Sequence, residues 1–223
     1  MTNRLVFWDI DGSLVRGSLE RLFVRFLLER KRINRATLAS GLVRLALRWP
    51  LPKWYQMKLV YLRNQEASVV SDWIEECWES SISENMFDGA RDVVKHIRET
   101  GARQVLLSGT LRTLAGPLMK RLGITEIVAA EPEIISGRYT GRLTAPHPQG
   151  LHKVMNAERW LEEHEIGWSA VTALANHEND RFLLEKAAAR IAVHPDRALA
   201  RIAVDKGWPI VNELSQIMSH FDR

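Results

Sequence analysis

The chain of 223 residues contains one cysteine, Cys77. A disulfide framework and a cysteine-rich zinc site are therefore excluded within it, and a lone thiol fits a reducing compartment. No apolar run reaches the roughly 18 residues that span a bilayer; Arg44 and Arg48 interrupt the best candidate. The N-terminal apolar patch, Leu5 to Trp8, is too short for a secretory leader and ends in Asp9 and Asp11. A cytoplasmic protein is expected. There is no internal repeat, low-complexity tract or flexible linker. What remains is 46% hydrophobic and 26% charged, which excludes a disordered chain. The length suits one large domain, or one domain carrying an insertion.

The net charge of +4 is unevenly spread. From Arg16 to Arg63 there are 12 Lys/Arg against Glu20 and Glu29, a balance of +10, and the rest of the chain carries −6. A basic segment beside an acidic body suits either an anionic partner or a solvated helical surface.

Leu5-Val6-Phe7-Trp8 reads as a buried strand, broken at once by Asp-Ile-Asp-Gly-Ser. Leu19, Leu22, Phe23, Phe26 and Leu27 then follow helical spacing, with Arg21, Arg25 and Arg30 largely off the apolar stripe. A second helix is expected over about 36–47, stopped by Trp49-Pro50-Leu51-Pro52 because proline lacks an amide and clashes with the preceding turn. A third is expected over about 53–62 and a fourth through Val70, Trp73, Ile74, Cys77 and Trp78. Trp54, Tyr55, Trp73 and Trp78 read as packing within this all-helical unit. From residue 84 the pattern alternates. Helices are expected from Ala90 to near Gly101, at Leu111–Leu122, about His152–His164, Asn179–Ala189 and Asp196–Lys206, and strands at Gln104–Leu107, Ile127–Ala129, Ala170–Ala175, Ile191–Val193 and Pro209–Val211, with a hairpin around Ser136–Gly141. Such alternation predicts an α/β fold, a parallel sheet covered on both faces.

Ligands of open α/β sheets bind at the carboxyl ends of the strands. Four clusters lie there: Asp9-Ile10-Asp11-Gly12-Ser13, Ser108-Gly109-Thr110, Lys153 after Gly150, and Asn176-His177-Glu178-Asn179-Asp180. Two carboxylates leaving one buried strand repel and need a cation or a proton between them. A site with few hard oxygen ligands suits Mg²⁺, which keeps several waters. Ser108 and the Gly109 amide at a helix start offer donors to an anion, and Lys153 adds a positive point charge. Together these residues suit phosphate transfer, and an aspartate can act as its nucleophile.

The ordered motifs resemble the haloacid dehalogenase superfamily, in the phosphoserine phosphatase-like branch with a helical cap after the first motif. The resemblance rests on Asp9-Ile10-Asp11-Gly12-Ser13, Leu107-Ser108-Gly109-Thr110, Gly137-Arg138-Tyr139-Thr140-Gly141, Gly150-Leu151-His152-Lys153 and Val193-His194-Pro195-Asp196. It implies a Rossmann-like doubly wound core, 1–15 and 84–223, with the cap at 16–83. By position, Asp9 would attack phosphorus and bind Mg²⁺. Asp11 would protonate the leaving oxygen, activate water, and give its main-chain carbonyl to the metal. Ser108 and the Gly109 amide would hold the phosphoryl group, and Lys153 would neutralise charge. Thr110, Arg16 and Ser18 complete the candidate substrate contacts, and Asn176 and Asp180 the candidate metal ligands.

The fourth motif departs from the family pattern. Asn176 stands where an aspartate binds the metal, and the usual neighbouring glycine is absent. Weaker Mg²⁺ binding is expected, with Glu178 a substitute ligand if the loop is rearranged and His177 without a role. Phosphoserine phosphatases carry a glutamate where Ser18 stands, so phosphoserine is not the expected substrate. Arg16 is expected to read a second anionic group on a small phosphorylated metabolite or head group. Gly12, Ser13 and the second motif argue against dehalogenation. Two other readings remain: a weakly active or inactive relative that binds a phosphate ligand or partner, and surface binding through the basic segment. For the latter, the Arg, Leu and Trp of Leu42 to Tyr55 suit a membrane interface, and no nucleic-acid partner is expected.

Overall fold

The computed structural model describes residues 4–33 and 59–222. β1, Leu5–Trp8, consists of four apolar residues, all buried, as in a strand covered on both faces. Val6 and Trp8 join one hydrophobic cluster, Leu5 and Phe7 the other, following the two-residue period of a strand. The later strands are β2 (Arg103–Leu111), β3 (Glu126–Ala130), β4 (Pro132–Ile135), β5 (Arg138–Leu143), β6 (Val171–Ala175), β7 (Ala189–Val193) and β8 (Ile210–Val211). Six of them form a parallel sheet in the order β3-β2-β1-β6-β7-β8, and β4 and β5 form the expected antiparallel hairpin.

Helices cover both faces. The first described helix after β1 is α1 (Leu19–Glu29), followed by α2 (Ala67–Cys77), α3 (Ala90–Glu99), α4 (Arg112–Leu122), α5 (Leu151–Glu163), α6 (Arg181–Lys186), α7 (Arg197–Asp205) and α8 (Ser215–Met218). Val93, Val94 and Ile97 of α3 and Leu114 and Leu118 of α4 pack in the cluster of Val6 and Trp8. Val154, Ala157 and Trp160 of α5, Leu184 of α6 and Leu199 of α7 pack in that of Leu5 and Phe7. The buried Trp8 indole donates to Gln104 at 2.9 Å, whose amide donates to the Val94 carbonyl at 2.9 Å. This chain satisfies the buried polar groups that join β1, β2 and α3.

Two element boundaries differ from expectation. β2 runs past Leu107 to Leu111, because Leu111 still pairs with Ala130 of β3 beyond an irregularity in register. Ser108 and Gly109 therefore sit within a strand, and the helix starts only at Arg112. The expected helix over 179–189 is a short 3-10 turn, Glu178–Asp180, followed by α6; Ala187 is already extended and leads into β7.

The expected helix over 36–47, its stop at 49–52, the interfacial stretch 42–55 and most of the helix over 53–62 lie outside the described residues. The end of the last is a 3-10 turn, Val60–Leu62. α2 continues as a π-helical turn, Trp78–Ile82, and the buried Trp78 indole donates to the Leu114 carbonyl at 3.0 Å. The two connections between the sheet and this helical segment run side by side. Val15 pairs with Met86, and the Arg16 amide donates to the Asn85 carbonyl at 2.7 Å. Among the described residues no helix is long and apolar enough to cross a membrane.

Candidate active site

The strand order reverses at β1. β2 and β3 lie on one side of it and β6, β7 and β8 on the other, so the connections diverge and leave a crevice at the carboxyl ends. Asp9, Asp11, Ser108, Gly109, Thr110, Lys153, Asn176 and Asp180 all line one cleft there, of about 680 Å³. Asp9 remains registered with the sheet through its amide, which donates to the Leu174 carbonyl at 2.9 Å.

The floor of the cleft is an ionic cluster. The Lys153 ammonium lies 2.7 Å from Asp9 Oδ1 and 2.8 Å from Asp180 Oδ1, all three side chains being buried. The Ser13 hydroxyl donates to Asp9 Oδ2 at 3.3 Å. Burial pushes Asp9 up to about 7, against the pull of Lys153 and with the help of Asp180. Burial pulls Lys153 downward, but Asp180 and Asp9 outweigh it and hold its pKa above the ordinary value.

Asp11 joins the motif to α1. Ser18, the residue before that helix, does not cap it with its own side chain. Asp11 Oδ1 accepts the Leu19 amide instead, at 3.0 Å, and so satisfies an otherwise orphaned donor of the first turn. Burial raises the pKa of Asp11, while bonds from the Leu19 amide and the Thr110 and Ser18 hydroxyls oppose the rise. In β2, the Ser108 hydroxyl accepts the Thr110 amide at 3.2 Å and donates to the Thr110 hydroxyl at 3.3 Å.

The fourth-motif loop is tied down by Asp196. The Asp196 amide donates to the Asn176 carbonyl at 2.8 Å, and its carboxylate accepts the Glu178 amide at 3.3 Å and the Leu199 amide at 2.7 Å. His177 is exposed, 3.4 Å from Asp196, and accepts the Asn179 amide at 3.1 Å. Glu178 is also exposed and, in contrast to the substitute role considered for it, is not among the cleft-lining residues. Asn176 does face the cleft, with its side chain over Gly12. Gly12 has φ +80°, and a Cβ there would lie 2.0 Å from Asn176 Nδ2. Gly12→Ala is expected to destabilise the fold by about 1–2 kcal/mol, the usual cost of forcing a side chain into the left-handed region. A urea melt matching that of the parent would refute this.

Arg16, expected in the crevice, sits elsewhere. Its guanidinium donates to the Met86 carbonyl at 2.9 Å and to Asp88 at 3.1 Å and covers the Phe87 ring at 4.9 Å. The pairing of the two connections turns it away. Cleft residues not anticipated from sequence are Glu20, Arg21, Val24, Arg25 and Leu28 of α1 and the loop His147-Pro148-Gln149, while His177 and Asn179 of the expected fourth-motif cluster line it as well. For the α1 residues the one local signal was a helix beginning so soon after Asp11 that it had to overhang the motif. His147 lies against Gly109, where a Cβ would come within 2.6 Å of its ring; no sequence signal indicated this.

Two buried carboxylates, Asp9 and Asp180, and the half-buried Asp11 share this floor with one lysine. That excess of negative charge, together with burial raising Asp9 and Asp11, fits a divalent cation. The donors suited to it are the Asp9 carboxylate, the Asp11 main-chain carbonyl and the Asn176 amide oxygen. Asp180 is placed chiefly to hold Lys153. Among the described residues no group of three or more His, Cys, Asp or Glu is arranged to hold a metal ion.

A sequence profile of the haloacid dehalogenase-like hydrolases matches residues 6–185. A phosphoserine phosphatase of Mycobacterium tuberculosis is 24% identical over 212 residues, covering 92% of this chain and 69% of that protein. A histidinol-phosphatase of Neisseria meningitidis is 21% identical over 217 residues, covering 93% and 98%. A Bordetella pertussis protein of unknown function superposes with a TM-score of 0.83 at 24% identity, over 95% of this chain and 99% of that one. A phosphoserine phosphatase, solved as an analogue of its phospho-aspartyl intermediate, superposes with a TM-score of 0.65 at 16% identity, over 99% of both chains. At such identities the structural likeness speaks for the fold.

Proposed function

Because the chain belongs to the haloacid dehalogenase-like hydrolases, we propose that it hydrolyses phosphomonoesters with Asp9 as the nucleophile and the 16–83 segment as the cap that selects the substrate. The observation that carries the reading is the buried Asp9 carboxylate, held by Lys153 at 2.7 Å and Ser13 at 3.3 Å in one cleft with Ser108. These bonds fix the carboxylate before the substrate arrives, as nucleophilic catalysis requires. An Asp9 oxygen attacks phosphorus and the ester P–O bond breaks. The leaving oxygen takes a proton from Asp11, whose protonated form is favoured by burial. Asp11 then takes a proton from water, the water oxygen attacks phosphorus, and the bond to Asp9 breaks to release inorganic phosphate. Ser108, the Gly109 amide and Thr110 would hold phosphoryl oxygens, while Lys153 balances their charge. Mg²⁺, held by Asp9, the Asp11 carbonyl and Asn176, would supply further neutralisation of the phosphoryl oxygens.

The substrate is a small phosphorylated molecule other than phosphoserine. Ser18, a neutral residue, lines the cleft beside Asp11, and Glu20, which also lines it, accepts the Tyr61 hydroxyl at 3.0 Å. The test is hydrolysis of para-nitrophenyl phosphate across a Mg²⁺ titration, followed by a metabolite panel that includes phosphoserine and histidinol phosphate. A phosphoserine rate well above the rest of the panel would sink the substrate reading. Asn176 in place of a charged ligand favours one second reading, a silent relative that only binds a phosphate ligand. No turnover at any Mg²⁺ concentration would select it.

Asn176→Asp restores a negative charge to the metal position. It is expected to lower the Mg²⁺ needed for half-maximal rate by about tenfold, the equivalent of ~1.4 kcal/mol. Calorimetric Mg²⁺ affinity should improve in parallel. An unchanged metal requirement would remove Asn176 from the ligand set.

A further inference from the structure

The wall above the ionic floor has a composition of its own. Arg21, Val24, Arg25 and Leu28 all line the cleft, and their spacing places them on one stripe of α1. The buried stripe of that helix is Leu19, Phe23, Phe26 and Leu27, so packing against the core fixes its rotation. The Asp11 carboxylate on the Leu19 amide fixes its start. The backbone positions of Arg21 and Arg25 on the wall of the cleft are therefore fixed.

Neither guanidinium is committed to a buried acid. Among the described residues Arg21 has no carboxylate partner. Arg25 pairs with Glu29 at 2.7 Å, but both side chains are mostly exposed, at 77% and 57%, and such a pair is readily exchanged for another anion. Glu20 on the same wall accepts the Tyr61 hydroxyl. Lys153, the cation of the floor, is already shared by Asp9 and Asp180. A second negative group on a substrate would thus find its available cations on α1, with two aliphatic side chains beside them.

We propose that Arg21 and Arg25 form a second anion subsite, which binds a carboxylate or phosphate carried by the leaving group of the substrate across a short apolar spacer lying on Val24 and Leu28. Guanidinium suits this role because its planar fork matches carboxylate and phosphate oxygens in pairs. The inference rests on the hydrolase reading only for the identity of the group in the floor.

The test separates the two. Binding is measured by calorimetry on Asp9→Asn protein, which needs no turnover. The probes are phosphate monoesters of ω-hydroxyalkanoic acids of increasing chain length, each beside its neutral amide. The acid is expected to bind about tenfold or more tightly than its amide, as a charge-assisted pair allows, with an optimum at one chain length. Arg21→Gln and Arg25→Gln should each reduce that ratio, the double variant should bring it close to unity, and lysine at either position should restore part of it. A ratio near unity at every length in the parent, a ratio that survives in the double variant, a preference independent of length, or failure of every probe to bind would each overturn the subsite. Turnover is assayed separately on the unaltered protein. Its absence would overturn the hydrolase reading, whereas the subsite stands or falls on the binding ratio.

Discussion

Asp9→Asn is expected to lower kcat for para-nitrophenyl phosphate by at least about 10³-fold, the scale of losing a nucleophile whose partners act as a unit. The substitution keeps the size and planarity of the side chain, so Lys153 retains Asp180 at 2.8 Å and the Ser13 hydroxyl keeps an acceptor nearby. What disappears is the anionic oxygen that attacks phosphorus. The measurement is steady-state turnover at saturating Mg²⁺, with far-ultraviolet circular dichroism to establish that the variant is folded. A folded variant that retains a tenth of the parent rate would remove Asp9 from the nucleophilic role. Asp11 would then have to be examined as the alternative, although its carboxylate is occupied by the Leu19 amide at 3.0 Å.

Lys153→Met carries the largest expected cost in stability. The ammonium is 3% exposed and bonds two buried carboxylates. Methionine has similar volume, so little packing is lost. The three acids of the floor are then left without their cation, and breaking a buried pair in this way costs about 3–5 kcal/mol. Urea denaturation in the presence of EDTA is the appropriate measurement, because a divalent cation would offset the missing charge. A loss below about 1 kcal/mol, typical of an exposed pair, would show that the floor is better solvated than its burial indicates. Added Mg²⁺ should recover part of the stability but not the rate, since Lys153 also balances charge on the transferring group.

Much of the molecule was legible because its signals are local. The strands of the central sheet are short apolar runs, and the helices between them carry their own periodicity. The clusters after β1, within β2, at the start of α5 and after β6 could be placed in one crevice, because parallel strands put their carboxyl ends on one edge. The departure at Asn176 was equally plain. Its consequence was not, because the loop geometry depends on Asp196, whose amide holds the Asn176 carbonyl and whose carboxylate accepts the Glu178 amide. That network leaves Glu178 in solvent.

The sequence by itself therefore determined the alternating α/β architecture and which residues line the crevice floor, both written in short stretches of residues with their own spacing. Tertiary structure alone decided which arginines overlook that floor. Arg16 is nearer to Asp11 in the chain, yet the pairing of Val15 with Met86 carries it away to Asp88. Arg21 and Arg25 are farther along, yet the packing of Phe23 and Phe26 rotates them into the cleft. Helical period specifies which residues share a face; only contact with the rest of the fold specifies what that face looks upon.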